Sequence, residues 1–297
     1  MKNYQAILKN LNCFKPGELR IKKLAGGMTN ENFLVKDSAG CYVARFAPDN
    51  LKVLGLSRQR EIYNYRQAAK SGLGAKVLWH YPKHRLLIVE YFPGRIFKVK
   101  DAQNPASIRK LSRLLFKLHH GPRFSGNFNP FARTRRYLKL AEQSGAWLPK
   151  NLDYYFAILK QIQARVGFSR PCPCHLDLML ENILETPSGQ IKLLDWEYSS
   201  NADYRYDLAM LMVKGKLNEA QEKLLIKTYF GKYRPGVHNE VKIMKSAVYL
   251  AEASYGLVQQ AVSSKPVNYK AYALVNLADC RRNNQLVGLN SKTGKSH

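Results

Sequence analysis

CHLDLMLENILETPSGQIKLLDWE, residues 174–197, is the part of this chain that restricts its fold most strongly. Its first half has the form H-x-D-L-x-x-x-N, which runs from His175 to Asn182. The turn sequence Thr-Pro-Ser-Gly follows, and an apolar strand pattern then ends in Asp195, 18 residues after Asp177. Either aspartate alone would also be explained as a loop cap or a strand end, but the combination predicts one site with two carboxylates.

The order of these polar residues is typical of phosphoryl transfer. Protein kinases carry H-R-D-L-x-x-x-N, in which the aspartate is the catalytic base and the asparagine binds magnesium. By the same order, Asp177 and His175 are the candidate catalytic residues. Asn182 and Asp195 are the candidate Mg²⁺ ligands, because this hard cation prefers oxygen ligands. A turn centred on Ser188-Gly189 would place Asn182 opposite Asp195 in an antiparallel hairpin.

The first ninety residues are predicted to be rich in strands. Strand patterns at 32–35 and 41–46 are separated by a turn sequence and predict a hairpin. Residues 57–70 predict a helix, and the apolar run 86–91 predicts a buried strand that stops at Pro93-Gly94.

Several residues of this region are candidate nucleotide ligands. Arg45 lies on the strand where a kinase carries its phosphate-binding lysine, and Glu61 on the next helix is its candidate partner. Both would also be explained as ordinary surface charges. A Gly-rich turn, whose backbone amides favour anions, and the end of the last strand supply the other candidates. These are Gly26, Gly27, Thr29, Asn30, Glu90 and Phe92.

After Pro93-Gly94 the pattern becomes mostly helical, interrupted by two short strands between residues 182 and 195. Later helices are predicted near 206–215, 217–231, 239–262 and 268–282. The chain is therefore predicted to be an α+β protein with two lobes, the smaller built from an antiparallel sheet plus a helix and the larger mostly helical. The predicted boundaries are 1–92 for the nucleotide-binding lobe, 93–283 for the catalytic and substrate-binding lobe, and 284–297 for a flexible tail.

Taken together, these motifs resemble the choline/ethanolamine kinases and the bacterial thiamine kinases of the aminoglycoside-phosphotransferase-like family. The resemblance implies a bilobal, protein-kinase-like fold with an enlarged helical lobe. It also implies ATP and Mg²⁺ as cofactors and an alcohol as acceptor. In addition, the sequence after Asp195 has no A-P-E segment typical of protein kinases. The segments that carry it are Gly27–Asn30, Leu118–Pro122, His175–Asn182, Asp195–Tyr198, Tyr204–Ala209, Tyr255–Leu257 and Tyr269–Ala273.

The candidate substrate residues combine carboxylates with aromatic rings. Glu197 and Tyr198 follow Asp195 directly, and Tyr255 and Tyr272 lie on the late helices. Together with Asp177, they suit a quaternary ammonium through charge attraction and cation–π contact. Plain helix packing would also explain the two late tyrosines. The prediction is a cationic alcohol as substrate, with choline as the first candidate.

The identity of the alcohol stays open between choline and thiamine or another alcohol used by this family. Tyr255 and Val258 stand where choline kinases carry tryptophan, so the aromatic cage is thinner than is typical of that group. The motifs around Asp195 fit a thiamine kinase equally well.

The charge balance allows a different class of function. There are 48 Lys and Arg residues against 21 Asp and Glu, a net charge of +27. Such a surface attracts polyanions, so weak association with anionic surfaces is expected. A non-enzymatic alternative is a kinase-like protein that binds an anionic surface or nucleic acid. The basic residues are dispersed, however, and no specific nucleic-acid motif is recognisable.

The cysteines and the apolar runs predict a cytoplasmic location. Five cysteines at irregular spacing fit reduced thiols, and the N-terminal residues have no apolar signal core. Cys172-Pro173-Cys174-His175 supplies only part of a zinc ligand set. The longest apolar run, residues 86–89, is far too short for a transmembrane segment.

Overall fold

The computed structural model describes residues 3–24, 30–48, 51, 55–167, 169–263 and 266–289. The described residues of Met1–Ile96 and Glu181–Tyr198 form one compact unit, called the first unit here. Those of Phe97–Leu180 and Ser199–His297 form the second unit. Each unit is therefore built from two separate stretches of the chain.

The described secondary structure mixes short strands with longer helices. In chain order the elements are α1 (Tyr4–Lys9), β1 (Arg20–Lys23), β2 (Glu31–Lys36), β3 (Cys41–Phe46), α2 (Arg58–Lys70), β4 (Val77–Tyr81), β5 (Leu86–Glu90), β6 (Arg95–Ile96), α3 (Val99–Ala102), α4 (Pro105–His119), α5 (Pro130–Gln143), α6 (Leu152–Val166), β7 (Cys172–Cys174), β8 (Ile183–Glu185), β9 (Ile191–Leu193), β10 (Ser200–Ala202), α7 (Tyr204–Lys214), α8 (Glu219–Phe230), α9 (Pro235–Val262) and α10 (Tyr269–Leu286). Two short 3₁₀ turns lie at Pro82–His84 and Leu180–Asn182.

A five-stranded antiparallel sheet organises the first unit, in the order β1-β2-β3-β5-β4. The predicted hairpin is confirmed as β2 and β3, and the predicted helix and buried strand are confirmed as α2 and β5. The helix α1 was not predicted, although Leu8 joins the buried cluster under the sheet with Phe33 and Phe46. Strand β1 was also missed, because its sequence RIKK is mostly exposed and has no apolar alternation.

A second, three-stranded sheet of the first unit has the order β6-β8-β9. The predicted hairpin is present, but its register differs by one residue from the predicted one. Asn182 lies opposite Leu194, whose backbone N–H donates to the Asn182 carbonyl at 2.8 Å, and not opposite Asp195. The loop contains three residues, because Thr186 pairs with Gln190 and Gly189 adopts φ = 75°. Three-residue hairpin loops place such a left-handed residue at their end.

The second unit is mostly helical and is centred on the 28-residue α9, which packs against α5, α6, α7 and α10. The prediction began this helix near residue 239, but it begins at Pro235, where a proline suits the first turn. The last helix continues to Leu286, beyond the predicted end near 282. The polar side chain of Asn283 is buried there and donates to Ser246 Oγ at 2.8 Å.

The α+β, kinase-like fold class is confirmed by this arrangement. A small antiparallel sheet with helix α2 forms the first unit, and helices dominate the second. Among the described residues, every helix is too short or too polar to cross a lipid bilayer.

Candidate active site

The predicted partners Arg45 and Glu61 are brought together in the interior of the first unit. Their exposed fractions are 5% and 3%, and Arg45 Nη2 lies 3.7 Å from Glu61 Oε1. The same guanidinium contacts the carboxylate of Asp195. Burial opposes the charge of Arg45, but Asp195, Tyr65 and Glu61 outweigh that effect and raise its pKa. Arg45 therefore stays charged and contacts the buried carboxylate of Glu61 and the half-buried carboxylate of Asp195.

Tyr65 completes this cluster and was not recognised from the sequence. Its ring centroid lies 5.8 Å from Arg45 Cζ, and its hydroxyl interacts with the backbone of Asp195. Burial raises the pKa of the Tyr65 hydroxyl. The available signal was spacing, since Tyr65 follows Glu61 by four residues and so shares its helix face. Tyr65 thus supports Asp195, which has the unusual left-handed φ of 60°.

Trp196 fixes the chain directly after Asp195. Its indole is fully buried, and Nε1 donates to the Leu193 carbonyl at 3.1 Å. Gly74 makes room for this ring, because a Cβ at that position would lie 2.5 Å from Trp196 Nε1. The ring thereby holds in place the segment after strand β9, which contains the candidate metal ligand Asp195.

The oxygen donors of Asn182 and Asp195 suit a magnesium ion chemically. Both residues belong to the first unit and lie at the same end of the β8–β9 hairpin, as the backbone bond between Asn182 and Leu194 shows. An amide oxygen and a carboxylate are hard ligands of the kind Mg²⁺ selects. One carboxylate oxygen of Asp195 is engaged by Arg45.

Glu197, predicted as a substrate residue, contacts a predicted nucleotide-binding residue in the structure. Asn30 Nδ2 donates to Glu197 Oε2 at 2.6 Å, and both side chains are buried. Tyr198, which follows, is half-buried and lies at the end of the first unit. The other residues predicted for the phosphate-covering turn lie outside the described residues: Gly26, Gly27 and Thr29.

The predicted nucleotide ligands Glu90 and Phe92 lie at the end of β5 and just after it. The backbone N–H of Glu90 donates to the Lys76 carbonyl at 2.9 Å, so this strand end is tied to the start of β4. Phe92 is half-buried, and Lys192 Nζ lies 5.4 Å from its ring centroid. Gly94 permits the chain to pass close to β8, because a Cβ there would lie 2.4 Å from the Glu185 carbonyl oxygen.

In the second unit, Asp207 anchors the loop that contains the two predicted catalytic residues. Its carboxylate accepts the backbone N–H groups of His175 at 2.7 Å and Leu176 at 2.8 Å. It also lies 3.2 Å from Nε2 of His119, at the end of α4. Asp207 is fully buried on α7. Sequence reasoning placed Asp207 in a family motif but gave it no role.

His175 and Asp177 differ in access. His175 has an exposed fraction of 0%, whereas Asp177 is half-buried. Between them, Leu176 takes φ = 65°, a left-handed value that turns the chain sharply. The turn therefore separates an interior histidine from an aspartate that borders solvent.

Tyr255 and Tyr272 are brought together where α9 and α10 approach each other. A Cβ on Gly256 would lie 3.1 Å from Tyr272 Cδ1, which shows how close the two helices come. The Tyr255 hydroxyl accepts from Gln259 Nε2 at 2.6 Å. The Tyr272 hydroxyl donates to Glu252, a carboxylate that sequence reasoning missed.

Asp177 belongs to the same neighbourhood electrostatically. Burial raises the pKa of Tyr272, and the negative charges of Glu252 and Asp177 raise it further. The charge of Asp177 also adds to the effect of burial on Tyr206, whose pKa is likewise raised. Asp177, Glu252 and the tyrosines therefore form one acidic and aromatic cluster within the second unit.

Basic side chains partly balance this cluster. Lys214 Nζ lies 2.5 Å from Glu252 Oε2. Burial would raise the pKa of Glu252, but Lys214 and Tyr272 outweigh it, and the pKa is lowered. Arg133 Nη2 lies 3.4 Å from the Tyr206 hydroxyl. Lys214 therefore compensates the negative charge of Glu252 within this cluster.

Comparison with known proteins identifies the family. Residues 20–239 match the model of the phosphotransferase enzyme family. Protein LicA of Haemophilus influenzae is 27% identical over 208 residues, which are 69% of this chain but only 61% of LicA. Thiamine kinase of Escherichia coli O157:H7 is 26% identical over 230 residues, 74% of each protein. A choline/ethanolamine kinase family protein from Mesorhizobium loti, 26% identical, has a crystal structure that matches with a TM-score of 0.80 and covers 96% of this chain and 95% of that one. Because the family model spans well over half of its length, the chain belongs to the phosphotransferase enzyme family.

Proposed function

We propose that this protein is an ATP-dependent kinase that phosphorylates the hydroxyl group of a small cationic alcohol, with choline as the first candidate. The observation that carries the proposal is the loop held by Asp207. The Asp207 carboxylate accepts the backbone N–H groups of His175 and Leu176. The carboxylate of Asp177 lies outside that anchor and influences the aromatic cluster of the second unit.

In this proposal Asp177 orients the acceptor hydroxyl and takes its proton while the oxygen attacks the γ-phosphorus of ATP and ADP leaves. His175 acts through its backbone as a positioning residue, since its side chain is fully buried. Arg45, held by Glu61, is proposed to bind the nucleotide phosphates when they enter. The turn residues Gly26, Gly27, Thr29 and Asn30 and the strand-end residues Glu90 and Phe92 are proposed to complete the nucleotide site.

Asn182 and Asp195 are the residues proposed to hold Mg²⁺. When bound, the ion would neutralise charge on the phosphate oxygens. Arg45 contacts Asp195 in the structure. We therefore infer that nucleotide binding changes the partners of Arg45, because phosphate oxygens and the Asp195 carboxylate compete for the same guanidinium.

The preference for a cation rests on Asp177 and on the tyrosines around it. Aromatic faces and a carboxylate attract a quaternary ammonium by cation–π contact and by charge. Tyr255 and Tyr272 supply the faces, and Glu197 and Tyr198 remain proposed substrate residues. Val258, where choline kinases carry a second tryptophan, is buried and packs in the interior.

Thiamine is the second candidate, favoured by one observation. The thiamine kinase relative matches 74% of this chain, a larger share than the LicA relative does. Thiamine is also a cationic alcohol, so the same acidic and aromatic cluster would suit it.

The direct test is ADP release with Mg²⁺-ATP and a panel of alcohols. Choline, ethanolamine and thiamine are compared with 3,3-dimethylbutan-1-ol, which has the shape of choline without its charge. We expect kcat/KM for choline to exceed that for the neutral analogue by about five- to thirtyfold, since a cation–π and charge contact contributes about 1–2 kcal/mol.

Three results would change the proposal in different ways. Faster turnover of thiamine than of choline, with mutual competition, would assign the second candidate. Equal turnover of choline and its neutral analogue would remove the preference for cations. Lack of turnover for every alcohol, combined with salt-sensitive RNA binding and no thermal shift with Mg²⁺-ATP, would favour the non-enzymatic alternative.

A further inference from the structure

A cavity of about 790 Å³ lies within the second unit. None of Asp177, Tyr255 and Tyr272 lines it. Cavities of about 300–1,000 Å³ are typical of sites for small organic ligands. This volume is therefore ample for a ligand with one or two rings.

Three arginines from separate parts of the chain converge on the cavity. Arg123 precedes α5, Arg170 precedes β7, and Arg234 precedes α9. No carboxylate is among the described residues that line it. Among the described contacts, the guanidinium groups of Arg123 and Arg170 have no ion pair or hydrogen bond. Like charges without local compensation create a site that attracts anions.

Nearby acidic residues do not cancel this charge. Asp203 and Glu240 both influence the pKa of Tyr204, which lines the cavity. Each of them forms an ion pair with Arg205, at 2.5 Å and 2.8 Å. The Arg205 guanidinium therefore offsets one of these two negative charges, and the three arginines that line the cavity outnumber the one that is left.

Aromatic rings form the walls between the arginines. Tyr204 and Tyr229 stack with centroids 5.8 Å apart and an interplanar angle of 7°. Phe116 and His120 stack at 3.9 Å and 25°. Such faces accept a flat ring by stacking or edge contacts.

One wall is fixed before any ligand arrives. His119, which also lines the cavity, has Nδ1 2.7 Å from the Tyr229 hydroxyl. Its other ring nitrogen faces Asp207, as described above. Because this histidine is bonded on both sides, the aromatic wall is preorganised, and less ordering entropy is lost when a ligand binds.

We propose that this cavity is a binding site for a small organic anion that carries a phosphate group on a flat ring. A guanidinium group can donate two parallel hydrogen bonds to phosphate oxygens, and Arg123 and Arg170 each supply such a group. The stacked rings bind the planar part. The proposal rests on the cavity alone and does not depend on which alcohol the protein phosphorylates.

The test is calorimetric titration of the full chain with 1-naphthyl phosphate. Inorganic phosphate, neutral 1-naphthol and cationic 1-naphthylmethylamine are the comparison ligands. We expect naphthyl phosphate to bind at least about tenfold more tightly than inorganic phosphate or naphthol, since it satisfies both features of the site. The cation is expected to show no saturable binding.

Variants locate the site. Arg123→Ala and Arg170→Ala each remove an exposed guanidinium, so the fold is expected to be retained, and each is expected to weaken naphthyl phosphate binding about tenfold. Arg109→Ala removes an equally exposed arginine on α4 that does not line the cavity, and it should leave binding unchanged. Unchanged affinity in both cavity variants would overturn the proposal, as would equal binding of the cationic ligand.

Discussion

Leu176 in the second unit and Asp195 in the first unit both have left-handed backbone angles, φ = 65° and 60°, but different chemistry holds each of them. The segment around Leu176 is held by backbone N–H groups that donate to the carboxylate of Asp207. The segment around Asp195 is held through its own side chain, which contacts Arg45. The first anchor binds the main chain, and the second uses the carboxylate that is proposed to hold Mg²⁺.

This difference indicates which carboxylate can be altered without loss of its loop. Asp177 takes no part in the Asp207 anchor, so its substitution should leave the loop in place. Asp195 is a partner of a buried arginine, so its substitution would disturb Arg45 and Glu61 as well. The candidate base is therefore the better position for a purely chemical test, and the anchors are the better positions for stability tests.

Asp207→Ala should have the largest effect on stability. It removes the acceptor of two buried backbone N–H groups and the partner of His119. Breaking a buried charged network costs about 3–5 kcal/mol, measured as the free energy of unfolding in urea. Asp279→Ala is the control, because its ion pair with Arg282 is largely exposed. Equal losses in the two variants would refute the anchor role of Asp207.

Arg45→Lys tests the side-chain anchor of the first unit. Lysine keeps the charge but lacks the guanidinium, whose Nη2 contacts both Glu61 and Asp195. Loss of one charge-assisted contact should cost about 1.5–3 kcal/mol in the free energy of unfolding. Arg20→Lys, at an exposed pair with Glu18, is the matched control and should unfold like the wild type. A wild-type unfolding curve for the Arg45 variant would contradict the account.

Gly74→Ala tests the packing of the Trp196 indole against residue 74. The added Cβ would lie 2.5 Å from the indole nitrogen, so the ring must shift, and overpacking of this kind costs about 1–3 kcal/mol. Gly236→Ala is the control in α9, where a Cβ meets no atom within 4 Å. That variant should be stabilised by about 0.5–1 kcal/mol, because alanine favours helix. A reversed order of stability would show that Trp196 does not need this glycine.

The smallest expected effect is a pH dependence linked to Glu252. Its pKa in the folded protein is lowered, as burial is outweighed by Lys214 and Tyr272. The unfolded chain therefore binds the proton more readily, and this stability is present above the ordinary glutamate pKa of about 4.3 and lost as the pH falls through the folded value. Glu252→Gln should lose less stability than the wild type between about pH 6 and about pH 3. The exposed Glu142→Gln control should follow the wild-type curve.

The sequence predicted the elements that have a clear periodicity or a clear turn. The hairpin at β2 and β3, helix α2 and strand β5 all follow patterns that burial on one face requires. The order of Asp177, Asn182 and Asp195 was informative because phosphoryl transfer constrains those residue types in that sequence. It predicted the chemistry before any fold was known.

Other features depend on contacts between residues distant in sequence. Asp207 lies 31 and 32 residues from the amides that it accepts, and no local pattern reports such a bond. The predicted hairpin register was wrong because the sequence Thr-Pro-Ser-Gly is compatible with both a three-residue loop and a two-residue turn. The left-handed φ of Gly189 in the structure distinguishes the two. Glu252 was missed because a single acidic residue on a long helix carries no motif.

Choline-dependent ADP formation by the Asp177→Asn variant tests the central claim most directly. Asparagine keeps the size of the side chain and removes the base, and the Asp207 anchor does not involve it. The account predicts a fall in kcat of about 10²–10⁴-fold, with an unfolding curve like that of the wild type and full activity in the exposed control Asp153→Asn. Wild-type kcat in the Asp177→Asn variant would contradict the account.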